Sequence, residues 1–211
     1  MFVHLYEYQI NPENVEDFLH LQADVARIYQ EYIACDFLFL QDMNDRGRWM
    51  EMNEFPSHTE YIRLMKNIND DSRIAHKWQE VRRLCAGDAF NERSFKTIRT
   101  SRDLLPAESF AKLYRYTIDP EKIDQYLHIQ ADAGSVYDQY IRGASRHLHD
   151  LNGNGDIVEL QCFSSKRDYD SSMETVNETE QVQALWEEFL QTLTHGEDDI
   201  TEESFIVHTF K

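Results

Sequence analysis

Apolar and polar residues alternate from Met1 to Ile10 in a segment rich in β-formers, a period of two that predicts a strand. Asn11-Pro12 then opens a helix, with Asn11 as N-cap and Pro12 in the first turn. Val15, Phe18, Leu19, Val25, Ala26 and Tyr29 form one stripe along that helix, which runs to about Tyr32. Two apolar runs, about Phe37 to Met43 and Arg48 to Phe55, flank Asn44-Asp45-Arg46-Gly47 and predict a β-hairpin. Ser57-His-Thr-Glu60 is a capping-box start for one or two helices reaching about Cys85. A last strand is expected at about Arg93 to Arg99.

The same pattern then recurs. Leu5-Tyr-Glu-Tyr-Gln-Ile-Asn-Pro-Glu returns as Leu113-Tyr-Arg-Tyr-Thr-Ile-Asp-Pro-Glu at an offset of 108 residues, and 26 of the 82 positions from Leu5 to Ala86 match at that offset. Asp42 pairs with Asp150, Gly47 with Gly155, Phe55 with Phe163, Ser57 with Ser165, Tyr61 with Tyr169 and Trp78 with Trp186. A two-residue insertion then aligns Ser94-Phe95 with Ser204-Phe205, placing the second copy's helices up to about Leu193 and its last strand at Phe205 to Phe210. The chain is a tandem duplication. Residues 1–100 form repeat 1, 101–109 a linker and 110–211 repeat 2.

Each repeat reads β-α-β-β-α-β, the ferredoxin-like order, with helices on one face of an antiparallel sheet. The other face needs cover, and a second unit in the same chain is the obvious one. On this element order and duplication the chain resembles the dimeric α+β barrel superfamily, which includes antibiotic-biosynthesis monooxygenase-like and NIPSNAP-like proteins. The resemblance implies an α+β fold in which two tandem ferredoxin-like repeats build an intramolecular dimeric α+β barrel. A fused pair also lets the halves diverge, one keeping a site that the other loses.

Composition narrows the partners. With 21 Lys+Arg against 39 Asp+Glu, the net charge of −18 repels phosphate backbones and anionic surfaces, so neither nucleic acid nor membrane is an expected partner. The acidity is concentrated after Leu104, where 8 basic residues face 21 acidic ones. No apolar run approaches a membrane span, no signal peptide is visible at Met1, and a cytoplasmic location is expected. Cys35, Cys85 and Cys162 form no CxxC pair and read as reduced structural thiols. The assembly expected is a monomer with an internal pseudo-dimer, or a homo-oligomer.

Candidate chemistry sits at polar residues that both copies retain. Helical geometry puts Gln22 at the centre of the apolar stripe and Gln130 at the same place in repeat 2, while Tyr6 and Tyr8, or Tyr114 and Tyr116, share one strand face. These residues line a cavity between helix and sheet, or they hydrogen-bond to one another in a filled core. Trp78 and Trp186 fall at helical spacing among apolar positions and join either the core or the cavity wall. His20 with Asp24, and His128 with Asp132, stand opposite the stripe and read as an exposed helical pair, with metal or acid–base work as the alternative. Asp150-Leu-Asn-Gly-Asn-Gly155 resembles the start of an EF-hand loop, but Gln161 stands at the twelfth position and strands flank it, so a hairpin turn is expected. His147 and His149 lack a third ligand for a metal. No metal and no cofactor is expected.

The resemblance implies a cofactor-independent monooxygenase or isomerase acting on a small apolar or aromatic compound held at Tyr6, Tyr8, Gln22, Trp78, Tyr114, Tyr116, Gln130 and Trp186. The alternative is a non-enzymatic small-ligand-binding or assembly protein. A haem-binding or haem-degrading protein comes third, because Trp78 has its histidine, His76, only two residues away and neither first strand carries an asparagine before its terminal turn.

Overall fold

The computed structural model describes residues 1–32, 36–87, 90–101, 109–141 and 143–210. The expected linker falls, over residues 102–108, outside the described residues, as does Cys35. The first repeat runs β1 (Phe2–Gln9), α1 (Val15–Gln30), β2 (Asp36–Asp42), β3 (Arg48–Phe55), α2 (His58–Asn69), α3 (Ser72–Leu84) and β4 (Asn91–Ser101). The second runs β5 (Ser109–Thr117), α4 (Ile123–Tyr140), β6 (Ala144–Asp150), β7 (Asp156–Phe163), α5 (Lys166–Asn177), α6 (Glu180–Leu190) and β8 (Thr201–His208). The ferredoxin-like order is therefore present twice, each with its later helix split in two. The hydrogen-bonded strand order β1-β3-β2-β8-β5-β7-β6-β4 closes on itself as an eight-stranded barrel. No described helix is long and apolar enough to cross a membrane.

The turn chemistry explains the element boundaries, with one correction. Ser57 accepts from the Glu60 N–H at 3.2 Å, and Ser165 both accepts from the Asp168 N–H and donates to its carboxylate at 2.9 Å, so both helix starts are capped as their sequences require. Asn11 is not a side-chain cap. A single 3₁₀ turn, Pro12–Asn14, precedes α1, and the Asn11 amide instead donates to the Cys85 carbonyl at 3.2 Å. Asp119, which cannot donate, does cap the equivalent turn by accepting from the Glu121 N–H at 3.0 Å.

Both hairpins are closed by the retained aspartates. Asp42 accepts from the Asn44 N–H at 2.7 Å and Asp150 from the Asn152 N–H at 2.6 Å, the Asx geometry that ties a turn to its own backbone. The EF-hand-like segment is thus a turn, and no group of three His, Cys, Asp or Glu suited to a metal occurs among the described residues. Gly155 has a φ of 77°, and a Cβ there would fall on the Ile118 carbonyl oxygen, so glycine is required where the hairpin meets the end of β5.

The chain divides into two compact units, Met1–Phe95 with the residues from Ile206 onward, and Lys96–Phe205. Inside the first, α1 buries Val15, Phe18, Leu21 and Val25 against the sheet, joined by Trp49, Phe39 and Phe55. Inside the second, α4 buries Tyr126, Ile129 and Val136 with Tyr116, Ile157, Phe163 and Phe189. Cys85 and Cys162 are buried thiols, Cys85 donating to the Val81 carbonyl at 3.2 Å, and burial pushes the Cys162 thiol up to about 12, so it stays protonated and inert.

Candidate functional site

Strand register decides which side chains meet under the helices. In the second unit β7 lies between β5 and β6, pairing Tyr114 with Glu159 and Glu159 with His147, so these three form one row across the sheet. The next row is Lys112, Gln161 and Ser145. Side chains two apart on a strand share a face, which brings Tyr116 to the same side. Between this face and α4, α5 and α6 lies a cavity of about 630 Å³, within the range of small-molecule sites. Tyr114, Tyr116, Gln130 and Trp186 all line it, with Arg99, His147, Glu159 and Gln161.

The polar wall is a connected chain. The Tyr126 hydroxyl lies 3.0 Å from that of Tyr116, which donates to Glu159 at 3.2 Å, while the Gln161 amide donates to the other carboxylate oxygen at 2.6 Å. His147 Nδ1 stands 3.5 Å from the Glu159 carboxylate, and Nε2 stands 3.5 Å from an Arg99 guanidinium nitrogen. Because the guanidinium can only donate, it faces a lone pair on Nε2 and leaves the imidazole proton on Nδ1, toward Glu159. Burial raises the phenols of Tyr114, Tyr116 and Tyr126 far above their ordinary range and that of Tyr137 to about 12, so these hydroxyls remain protonated.

The aromatic wall faces this chain. Tyr116 packs edge-on to Phe189 at 5.1 Å between ring centres, and Trp186 lies 5.2 Å from Phe189. Trp186 is 39% exposed, which places it at the cavity's edge.

In the first unit the corresponding rows are Tyr6, Glu51 and Phe39, then His4, Asn53 and Phe37, with Trp49 where repeat 2 has Ile157. Phe37 packs against Tyr29 with ring centres 5.4 Å apart, Phe39 meets Phe210 at 5.1 Å, and the fully buried Trp49 packs on Phe18 at 4.8 Å. Rings therefore occupy the space that Ser145, His147 and Ile157 leave open. Tyr8 and Gln22 are buried in this packed interior, Tyr6 is half-buried, and Trp78 donates to the Tyr29 hydroxyl at 3.1 Å. Glu51 keeps its partners, the Asn53 amide at 2.9 Å and the Tyr8 hydroxyl at 3.5 Å, yet its complete burial pushes its carboxyl up to about 7.

The eight sequence-predicted residues thus separate by repeat, four on a cavity and four in packing. His20, His128 and Asp132 are exposed, and Asp24 binds Arg27 at 2.8 Å and Lys77 at 3.3 Å, outside both interiors. His147 and His149 share a strand face, but the ring nitrogens of His147 point to Glu159 and Arg99, and His149 does not line the cavity. Helical periodicity overlooks Glu159, Arg99, Gln161 and Tyr126. The signal for them lies in comparing the repeats: Glu51/Glu159 is kept, while Phe37/Ser145, Phe39/His147, Trp49/Ile157 and Phe18/Tyr126 all trade an aromatic for something smaller or more polar.

No family model and no curated protein matches the sequence. Solved structures do. A presumed monooxygenase from Lactobacillus acidophilus NCFM superposes with a TM-score of 0.77, covering 99% of this chain and 95% of its own at 7% identity. An anthrone oxidase-like protein gives a TM-score of 0.64 over 98% and 90% at 11% identity. A haem-degrading enzyme from Listeria monocytogenes gives 0.56 over the full length of both chains at 6% identity. At such identities the likeness is one of fold. The chain has the dimeric α+β barrel fold of the antibiotic-biosynthesis monooxygenase-like proteins, built from two ferredoxin-like repeats in a single polypeptide.

Proposed function

We propose that the second unit's cavity binds a small aromatic compound and oxidises it with dioxygen, without a resident cofactor. The observation that supports this is the Arg99–His147–Glu159–Tyr116 chain set into an aromatic-walled cavity whose counterpart positions in repeat 1 carry Phe37, Phe39 and Trp49.

The chemistry follows from those groups. A ring system whose methylene lies between two aryl rings conjugated with a carbonyl, as in anthrone, has an acidic C–H. Glu159 accepts that proton, and the Arg99 guanidinium faces the oxygen on which the negative charge collects. The carbanion is electron-rich enough to reduce dioxygen directly, forming a C–O bond and a hydroperoxide anion, which takes the proton back. The hydroperoxide O–O bond then breaks as the second C–H proton leaves with hydroxide. The balance is CH₂ + O₂ → C=O + H₂O, with dioxygen as the oxidant. The Gln161 amide holds the Glu159 carboxylate in place, and Tyr116 donates to it while its own hydroxyl is held by Tyr126.

Haem chemistry fits these residues less well. The ring nitrogens of His147, the histidine that lines the cavity, face the Glu159 carboxylate and the Arg99 guanidinium at 3.5 Å each, and His76 is exposed beside Glu80 at 3.3 Å. The test is oxygen consumption with a dihydroxyanthrone as probe. One O₂ consumed per probe molecule at a rate proportional to protein concentration is the expected result; a rate no greater than that of the spontaneous reaction contradicts the proposal.

A further inference from the structure

Two buried acceptors in the cavity wall lack donors. Gln161 is only 8% exposed, and its amide nitrogen is committed to Glu159 at 2.6 Å, which fixes the orientation of the amide. Its Oε1 has no hydrogen-bond partner, and neither does the buried Oε1 of Gln130 on α4. Both residues line the same cavity. Buried acceptors are almost always matched, so two unmatched oxygens on one cavity mark places where a bound molecule supplies the donors.

The first repeat lacks this arrangement. Asn53 makes the same bond to Glu51 and its Oδ1 is also unmatched, but its register neighbour is Phe37. In repeat 2 that neighbour is Ser145, and the residue is one methylene longer, so the amide oxygen gains a cavity beside it. Arg99 adds the complementary group. A Cβ on Gly134, which is Ala26 in repeat 1, would come within 3.0 Å of the Arg99 Nε and 3.3 Å of Cζ, so the glycine leaves room for the guanidinium against α4.

Resting on the ligand site proposed above, we infer that Gln130 and Gln161 select a planar ligand carrying at least two free hydroxyl or N–H donors, and reject the same skeleton with those donors blocked. A site built to hydrogen-bond a donor leaves its own acceptors unpaired when the donor is missing, so discrimination is large.

Calorimetric titration with a naphthalene diol and with its dimethyl ether tests this on the whole chain. The diol is expected to bind about ten- to a hundredfold more tightly than the ether. In the Gln130→Leu, Gln161→Leu double variant the two affinities should fall within about threefold of each other. Ligand-free Gln130→Leu adds an independent readout: relieving an unmatched buried acceptor should leave Tm unchanged or raise it, whereas a glutamine that served the core would lower it when removed. Equal binding of diol and ether by the natural chain, or a preference that survives in the double variant, overturns the inference while leaving the ligand site intact. Binding of neither compound overturns the ligand site itself, and this inference with it.

Discussion

Glutamine in place of Glu159 is expected to slow dihydroxyanthrone oxidation by about 10²–10⁴-fold, the usual contribution of a positioned general base. The change keeps the side chain's length and leaves an amide oxygen able to accept the Gln161 N–H that now lies 2.6 Å from the carboxylate. What it removes is the capacity to take a proton. The loss should therefore appear in kcat, with the affinity for the probe little altered. Oxygen-electrode rates for the natural chain and for Glu159→Gln check this, and Glu51→Gln serves as the paired control because Glu51 lies in the packed first unit. A Glu159→Gln rate within threefold of the natural one would place the base elsewhere.

Glu51→Gln should itself show the largest pH-dependent change in stability. The Glu51 carboxyl, ordinarily near 4.5, is raised to about 7 chiefly by burial, with the Asn53 and Tyr8 bonds opposing the shift. Below about pH 4.5 the folded and unfolded chains both hold the proton, and the residue costs nothing. As pH rises toward 7 the unfolded chain releases its proton first, so the folded state becomes relatively less stable. Above about 7 the penalty is complete and constant, at about 3 kcal/mol. Glutamine cannot ionise. The stability of Glu51→Gln relative to the natural chain should thus grow by about 2 kcal/mol between pH 5.5 and 8, read from urea unfolding at each pH. A pH-independent difference would mean that water or a cation reaches Glu51.

Much of this was legible in the sequence because it is local. The Ser57 and Ser165 caps, the Asp42 and Asp150 turns and the strand alternation each depend on residues a few positions apart, and an offset of 108 residues repeated them. Gln22 and Gln130 fell inside because a 3.6-residue period fixes the face of a helix. The Asn11 cap failed because an amide, unlike the Asp119 carboxylate, also donates, and the Cys85 carbonyl beside it competes. Glu159 and Arg99 were hidden for a different reason. A lone glutamate in a β-strand carries no periodic signal, and what places it in the cavity wall is the cross-strand row that sets it between Tyr114 and His147. Divergence between the halves was the available clue: where repeat 1 has Phe37, Phe39 and Trp49, repeat 2 has Ser145, His147 and Ile157.

Ligand stoichiometry reads out that divergence. Calorimetric titration of the natural chain with the naphthalene diol should give one site per chain. The Ser145→Phe, His147→Phe double variant, which returns repeat 2 to the residues of repeat 1, should bind none while still folding, since the first unit packs those rings under the same secondary structure. Two sites per chain, or a single site that persists in the double variant, would contradict the assignment of the open cavity to the second unit.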